Sequence, residues 1–375
     1  MKPSHAVPEM PLMLRGSPRA RGLMQAELCP DMAGHVRHAV EHRLAETALA
    51  LRRPDVRRFI VGQRAFAERH YPEIIEEIEG IATGFGISDA MLFDYLNCST
   101  AMDLADMPER RPDGCTAFAA TATNAGAVLA KNRDYRPEHI LIQRAMQHTD
   151  PAWNGREILV LGSLGSPGNF SSGMNSDGLA LSDTASRTTD LGVGFHRYFL
   201  ITWLLVACDS VEMALAAIRR TTHTGSGLLI LADATGAVAA VELGHHGIGI
   251  EHRSAGRVGR VNHFVLPEMV PVNMHAESSA ASRANSERRW PSLQRRLEGL
   301  SDPCGPDDAA ALLAYHGEDG GKAFCRHGGD DLSNTIATTI FLTKQRQLFA
   351  AFGNPCEAKW RSFAFTSAAS TAAAQ

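Results

Sequence analysis

At 375 residues and 44% hydrophobic content, the chain can bury a sizeable core as one large domain or two modest ones. A formal net charge of −4 offers no electrostatic footprint for nucleic acid, and the densest basic cluster, Arg52, Arg53, Arg57 and Arg58, reads as a solvated helix face. No apolar run approaches the roughly 18 residues of a membrane span, and the opening MKPSHAVPEMPLML lacks a continuous apolar stretch, so a cytoplasmic protein with no membrane partner is expected.

Seven cysteines without a CxxC pair indicate neither a disulfide framework nor a zinc site. The pair His245-His246 reads as a turn, and no HExxH-like helical pair occurs, so no metal is expected. Nor does any glycine-rich stretch carry a nucleotide-binding pattern, and no cofactor is expected.

In chain order, residues from about 33 to 101 carry helical periodicity, with Ile74, Ile78 and Ile81 at three- and four-residue steps. GFGISDAMLFDYLN then reads as a glycine stop, a Ser88 N-cap and a new helix. Past Cys115 the texture turns to short alternating runs, TAFAATATNAGAVLAKN, REILVLGS, GNFSSGMNSDGLALSDT and GLLILADATGAVAAVEL. Asn124-Ala-Gly126 and Asp233-Ala-Thr-Gly236 sit where hairpin turns belong, so an antiparallel sheet is predicted. Helical patterns return in RYFLITWLLVACDSVEMALAAIRRT, SERRWPSLQRRLEGL and PDDAAALLAYH, before a last β pair, NTIATTIFLTKQRQLFAAF. Runs of strands between runs of helices predict α+β layers rather than alternating βαβ units, followed by a disordered tail over 366–375.

The dipeptide Gly114-Cys115 stands at a loop-to-strand boundary. A thiol there can attack the carbonyl of the preceding residue, and glycine hinders that carbonyl least. Cleavage would leave Cys115 with both a nucleophilic thiol and a free α-amine as base. Asp134 follows where a returning hairpin strand would lie beside the start of the first, with an Asx-turn as the plainer reading.

These residues sit among further segments, LRGSPRARG, PEIIEEIEGIATGFGI, KNRDY, GMNSDGLAL, VNHF, SERRWPSLQRRL and FGNPCEAKW. In this order they resemble the cysteine-type N-terminal nucleophile (Ntn) hydrolases, specifically the isopenicillin N acyltransferase family related to penicillin V acylase and bile salt hydrolase. The resemblance covers nearly the whole chain. It implies an αββα sandwich of two antiparallel sheets between helical layers, with self-cleavage at Gly114-Cys115. Residues 1–114 would become a mainly helical α subunit and 115–365 the catalytic β subunit, together forming a heterodimer.

By the same resemblance Cys115 is the nucleophile, Asp134 positions its amino terminus, and Asn262 lends an N–H to the oxyanion hole. Arg289 is the site arginine, preferred over Arg288 for its spacing from Ser286, while Lys131, Tyr135 and Arg288 are substrate contacts. Lys131 replaces the arginine of the bile salt hydrolase branch, and Asp183 an asparagine common among relatives. The implied function is transfer of an acyl group, through a Cys115 thioester, from a small-molecule amide, thioester or carrier-tethered donor to an amine or water. Acyl-CoA counts among such donors. Loops around 135–155 and 165–200, with Trp153, Phe170, Phe195 and Tyr198, would line the acyl pocket. The rival readings are a papain-like thiol hydrolase pairing Cys115 with His263, and a non-enzymatic binding protein on the same scaffold.

Overall fold

The structure is a computed structural model that describes residues 9–108, 114–122, 126–317, 324–328 and 333–366. Strand β1 (Leu12–Arg15) precedes seven helices: α1 (Pro18–Leu28), α2 (Ala33–Glu46), α3 (Ala48–Leu51), α4 (Pro54–His70), α5 (Pro72–Phe85), α6 (Asp89–Leu96) and α7 (Cys98–Leu104). The stop and start read from the sequence are both present. Gly86 caps α5 in the left-handed conformation, and the Ser88 side chain accepts the Met91 N–H at 3.2 Å.

Two motif segments account for the packing of this half. Gly22 of α1 and Gly80 of α5 face each other so closely that a Cβ at either would collide with the backbone of the opposite helix. Buried Arg21 on α1 donates to Glu77 of α5, whose other oxygen accepts the Gly168 N–H at 2.9 Å. The glycines permit the contact, and the ion pair fixes its register.

The strands follow as β2 (Thr116–Ala122), β3 (Gly126–Tyr135), β4 (Gln143–Thr149), β5 (Glu157–Ser163), β6 (Ser172–Asn175) and β7 (Ala180–Ala185). Helices α8 (Arg197–Ala207) and α9 (Val211–Ile218) divide the single helical pattern read from this stretch, because the Ser210 side chain caps a second start at Val211 by accepting the Met213 N–H. Then come β8 (Gly227–Ala232), β9 (Val238–Leu243), β10 (Ile248–Arg253), β11 (Arg257–Arg260), α10 (Ala280–Glu298), α11 (Pro306–Leu313), β12 (Asn334–Leu342), β13 (Gln347–Ala351) and β14 (Arg361–Ala364).

They form two sheets, ordered β1-β4-β5-β6-β7-β8-β9-β10 and β11-β2-β3-β12-β13-β14. All pairings are antiparallel except β1 with β4. Period-two alternation sorts the faces. Ala117, Ala119 and Leu129 join Leu159, Leu161, Ile230 and Phe341 between the sheets, while Phe118, Ala120, Val128 and Ala130 meet Leu293, Leu297 and Leu312 of α10 and α11. The remaining helices cover the outer face of the larger sheet. The layers are therefore helix, sheet, sheet, helix: the α+β sandwich expected from the sequence.

Several expectations change in detail. The N-terminal segment also supplies the edge strand β1 of the larger sheet. Residues 143–149, expected in a pocket loop, are strand β4. Thr366, placed in the tail, is tied to Gln147 by both its N–H and its hydroxyl, and 367–375 lie outside the described residues, as does Asn124 of the first hairpin turn. The second turn is present, with the Gly236 N–H donating to Asp233 O. No helix among the described residues is long and apolar enough to cross a membrane.

The α1–α5 contact separates two effects of one substitution. Alanine exceeds glycine in helix propensity by about 0.8–1 kcal/mol, whereas overpacking a close contact costs about 1–3 kcal/mol. Gly80→Ala is expected to lower the urea midpoint of the purified chain; a raised midpoint would mean that the helices do not approach this closely.

Candidate functional site

The register of β2 on β3 pairs Thr116 with Asn132, which carries Gly114 and Cys115 opposite Asp134 and Arg133 at the open end of the hairpin. Cys115 is 8% exposed. Its sulfur lies on the Asp134 peptide, 3.4 Å from the N–H and 3.6 Å from the carbonyl oxygen. Gly114 is packed as tightly: a Cβ there would lie 2.5 Å from Asp134 Oδ2 and closer still to the Arg326 guanidinium. No other residue type fits before this cysteine without displacing a charged group.

Asp134 points to the helical side of its sheet. Oδ1 accepts the Thr335 hydroxyl at 2.7 Å, and Thr335 Oγ1 accepts the Arg326 N–H at 2.9 Å. Oδ2 is buried without a hydrogen-bond partner, 4.0 Å from Arg326 Nε. Burial pushes the carboxyl above the ordinary carboxylate range, against the opposing pull of Arg326, the Thr335 hydroxyl, Arg289 and Lys131.

Arg289 reaches the same end from α10. Its Nη1 donates to Cys115 O at 2.9 Å and to Thr116 Oγ1 at 3.0 Å, and its Nη2 donates to Asn262 Oδ1 at 2.5 Å. Asn262 follows β11, takes Ser286 Oγ on its backbone N–H, and donates Nδ2 to Ala185 O at 2.9 Å. The amide nitrogen carries two N–H donors, of which Ala185 takes one. Cys115, Asp134, Asn262 and Arg289 thus occupy one site.

The substrate contacts expected from sequence fare differently. Successive residues of an α-helix point about 100° apart, so with Arg289 turned inward Arg288 is exposed and donates to Ala284 O of its own helix. Arg288 is thus turned away from the group that Arg289 joins. Lys131, 2% exposed, donates to Asp183 at 2.6 Å and to Ser171 at 3.0 Å, and Arg197 holds the other Asp183 oxygen at 2.8 Å. Burial alone would raise the Asp183 carboxyl, but Lys131 and Arg197 outweigh it and hold the group below its usual range. Asp183 is therefore a counterion bridging β3 to β7 and α8. Tyr135 is half-buried, edge-on to His139 and beneath the Arg136 guanidinium.

Of the aromatic residues expected at the pocket, Phe170 and Tyr198 stack with centroids 3.8 Å apart beside Arg133, the strand neighbour of Cys115. Phe195 instead stacks on Trp203 within the helical layer, and Trp153 lies under Arg21 of α1. A cavity of about 740 Å³ sits at the far end of β2, around Thr121 and Arg257. The cavity beside Asn262, lined by Arg187, His263, Met274 and Arg283, is only about 20 Å³.

The papain-like alternative needs a helix after the cysteine and a histidine base. Here a strand follows, while His263 bonds Ser286 Oγ through Nδ1 and is pushed down to about 4 by burial and by Arg289 and Arg260. Two residues of the site were not anticipated, Arg326 and Thr335. Thr335 lies directly across β12 from Asp134, a partner the strand patterns could have supplied once the β3–β12 register was known. Arg326 comes from a segment between α11 and β12 that carries no periodic signal.

Among curated proteins none matches the chain. Solved structures show distant likeness. A variant of the conjugated bile acid hydrolase from Clostridium perfringens is 11% identical, with TM-score 0.44, over 67% of this chain and 97% of that one. Penicillin V acylase from Agrobacterium tumefaciens is 15% identical, with TM-score 0.39, over 64% and 83%. The N-acylethanolamine-hydrolyzing acid amidase ortholog of Caenorhabditis elegans is 12% identical, with TM-score 0.42, over 61% and 93%. At such scores they add nothing to what sequence establishes. The family described as acyl-coenzyme A:6-aminopenicillanic acid acyl-transferase matches residues 121–357, a segment that opens just after Cys115. That match spans more than half of the chain, which therefore belongs to this acyltransferase family of Ntn-type enzymes.

Proposed function

We propose that the chain is a self-processing N-terminal-nucleophile enzyme that cleaves itself at Gly114-Cys115 and then carries an acyl group on Cys115 to an amine or to water. The observation that supports this most directly is the buried Asp134 Oδ2 beside Gly114, which accepts no hydrogen bond among the described residues. Cleavage at the adjoining peptide bond would create a new donor for it, the Cys115 α-ammonium.

In the processing step the Cys115 thiol gives up its proton and its sulfur attacks the Gly114 carbonyl carbon. The adduct collapses with loss of the Cys115 nitrogen, which takes up a proton, so that a C–S bond replaces the C–N bond. Water then adds to the thioester, releasing Gly114 as a carboxylic acid and returning the thiol to a residue that now bears a free amine. With an intrinsic pKa of about 8, that amine can take the thiol proton in each later turnover and pass it to the leaving group.

The grip of Arg289 on Cys115 O and Asn262 would hold the new N-terminus and the oxyanion donor in register. Phe170 and Tyr198 suit an apolar acyl chain beside the nucleophile. The name of the family makes an acyl-coenzyme A donor and a β-lactam amine acceptor the first pair to assay. The closed surroundings of Cys115 in the intact chain fit a precursor that opens on processing.

Intact mass under denaturing conditions tests the first step. The wild type is expected to give fragments of about 12 and 28 kDa by chain-length proportion, with Cys115 at a new N-terminus, and Cys115→Ala a single 40.5 kDa chain. Fragments of the same masses from Cys115→Ala would end the proposal.

Asn262→Ala is expected to be processed at least in part and to lose about 2.7–4 kcal/mol of transition-state stabilisation, a 10²–10³-fold fall in kcat/KM on an acyl-CoA or a chromogenic acyl amide. An unchanged kcat/KM would remove Asn262 from the oxyanion hole.

A further inference from the structure

Four potential metal ligands from three separate segments converge next to Arg326 in the chain. His316 follows α11, Cys325 and His327 flank Arg326 itself, and Cys356 lies in the turn between β13 and β14. Their ligating atoms all lie within 4.8 Å of one another.

Four of the six separations are close to the edges of a tetrahedron, and the two from His316 to the sulfurs stay within 4.8 Å. Zinc–sulfur and zinc–nitrogen bonds of about 2.3 and 2.05 Å imply edges of about 3.8 Å between two sulfurs, 3.6 Å between sulfur and nitrogen, and 3.3 Å between two nitrogens. The two Sγ atoms are 3.5 Å apart, His327 Nε2 lies 3.3 Å from Cys356 Sγ and 3.7 Å from Cys325 Sγ, and the two Nε2 atoms are 3.1 Å apart. A disulfide would need its sulfurs at about 2.05 Å, so the thiols are gathered but not joined.

The surroundings also resemble those of a metal centre. Asn354 Nδ2 donates to Cys325 Sγ at 3.4 Å, a contact that steadies a thiolate, and Glu357 Oε1 stands 3.7 Å from Nδ1 of His327, the ring nitrogen facing away from the cluster. The backbone prearranges the ligands, since the N–H groups of Phe324 and Cys325 both donate to Tyr315 O. Cys325 is buried, whereas His316, His327 and Cys356 are exposed, which leaves an ion a way in.

We propose that His316, Cys325, His327 and Cys356 bind one Zn²⁺ ion. Two thiols would lose their protons to solvent, and the resulting thiolates and two neutral imidazoles would complete a four-coordinate shell with no open position, a structural rather than a catalytic centre. Two sulfur and two nitrogen donors in this geometry select zinc over the hard oxygen-seeking cations. The ion would clamp the three segments together and, by holding both neighbours of Arg326, fix the guanidinium that packs on Gly114 and Asp134. Sequence spacing does not reveal such a site, because the ligands are far apart in the chain and meet only once α11, β12 and the β13–β14 turn are in place.

Purified full-length protein tests the proposal. Elemental analysis is expected to find about one zinc per chain. After chelation under reducing conditions, titration with Co²⁺ is expected to saturate at one equivalent, with thiolate charge-transfer and tetrahedral d–d absorption, and Zn²⁺ to raise the thermal midpoint of the stripped protein. Cys356→Ser and His327→Ala should lose or shift those bands, while Cys208→Ser, buried beneath α8, should keep them. A folded wild type, judged by circular dichroism, that contains no zinc and gives no thiolate–cobalt band would overturn the proposal. So would a Cys325–Cys356 disulfide found by mass in the protein as isolated, or metal binding that leaves the thermal midpoint unmoved.

Discussion

A carboxylate buried without full hydrogen bonding is the constraint around which the site is built. Taking Asp134 out of water disfavours its charged form, and only neighbouring cations and donors can offset that cost. They come from four places: Thr335 on β12, Arg326 before it, Arg289 on α10 and Lys131 on the same strand. Holding one carboxylate therefore ties the start of β2 to β3, β12 and the outer helical layer. Gly114 follows from the same arrangement, since any side chain there would push into the Arg326–Asp134 pair.

Strand alternation divides the chemistry of β3 between its two faces. Asn132 and Asp134 face the outer helices, where the Asn132 amide donates to the carbonyls of Leu313 and Phe324. Lys131 and Arg133 face the other sheet, where they meet Asp183 and Ser171, and Gln143 and Ser163. Cys115 adjoins both networks, with its sulfur against the backbone of β3 and its carbonyl held by an arginine of the helical layer. A buried ion pair such as Lys131–Asp183 contributes little net stability once desolvation is counted. Its effect is geometric, because it aligns the two sheets beside Cys115.

What the sequence made legible and what it hid divide along the range of the interactions. The αββα layering was readable because alternation and helical periodicity are local, as in Thr116–Ala122 and Pro72–Phe85. The close approach of α1 and α5 was implicit in two glycine-bearing motifs, although nothing local says that Gly22 and Gly80 face each other. Spacing from Ser286 favoured Arg289 over Arg288, and the helix phase turns the two side chains in different directions. Arg326, Thr335 and the Cys325–Cys356 cluster were invisible for one shared reason. Each gains its meaning from a partner on another segment, and neither spacing nor composition encodes that encounter.

The intact chain carries a defect that processing would remove. A buried acceptor without a donor costs on the order of 1–3 kcal/mol, and Asp134 Oδ2 is such an acceptor in the unprocessed state. Cleavage would turn the Cys115 nitrogen from a peptide N–H with one donor into an ammonium with three, which could meet the carboxylate as an opposite charge. The site would thus be better matched to the product of the proposed self-cleavage than to the intact chain. The same pairing that favours processing would hold the α-amine beside the sulfur afterwards, so one aspartate can serve both maturation and turnover. Arg326 sets the limit on this arrangement. Its guanidinium opposes the effect of burial on the Asp134 carboxyl without taking Oδ2 as a hydrogen-bond partner, at a separation of 4.0 Å. Anchoring that arginine by both of its chain neighbours is the simplest way for a fold to maintain such a distance.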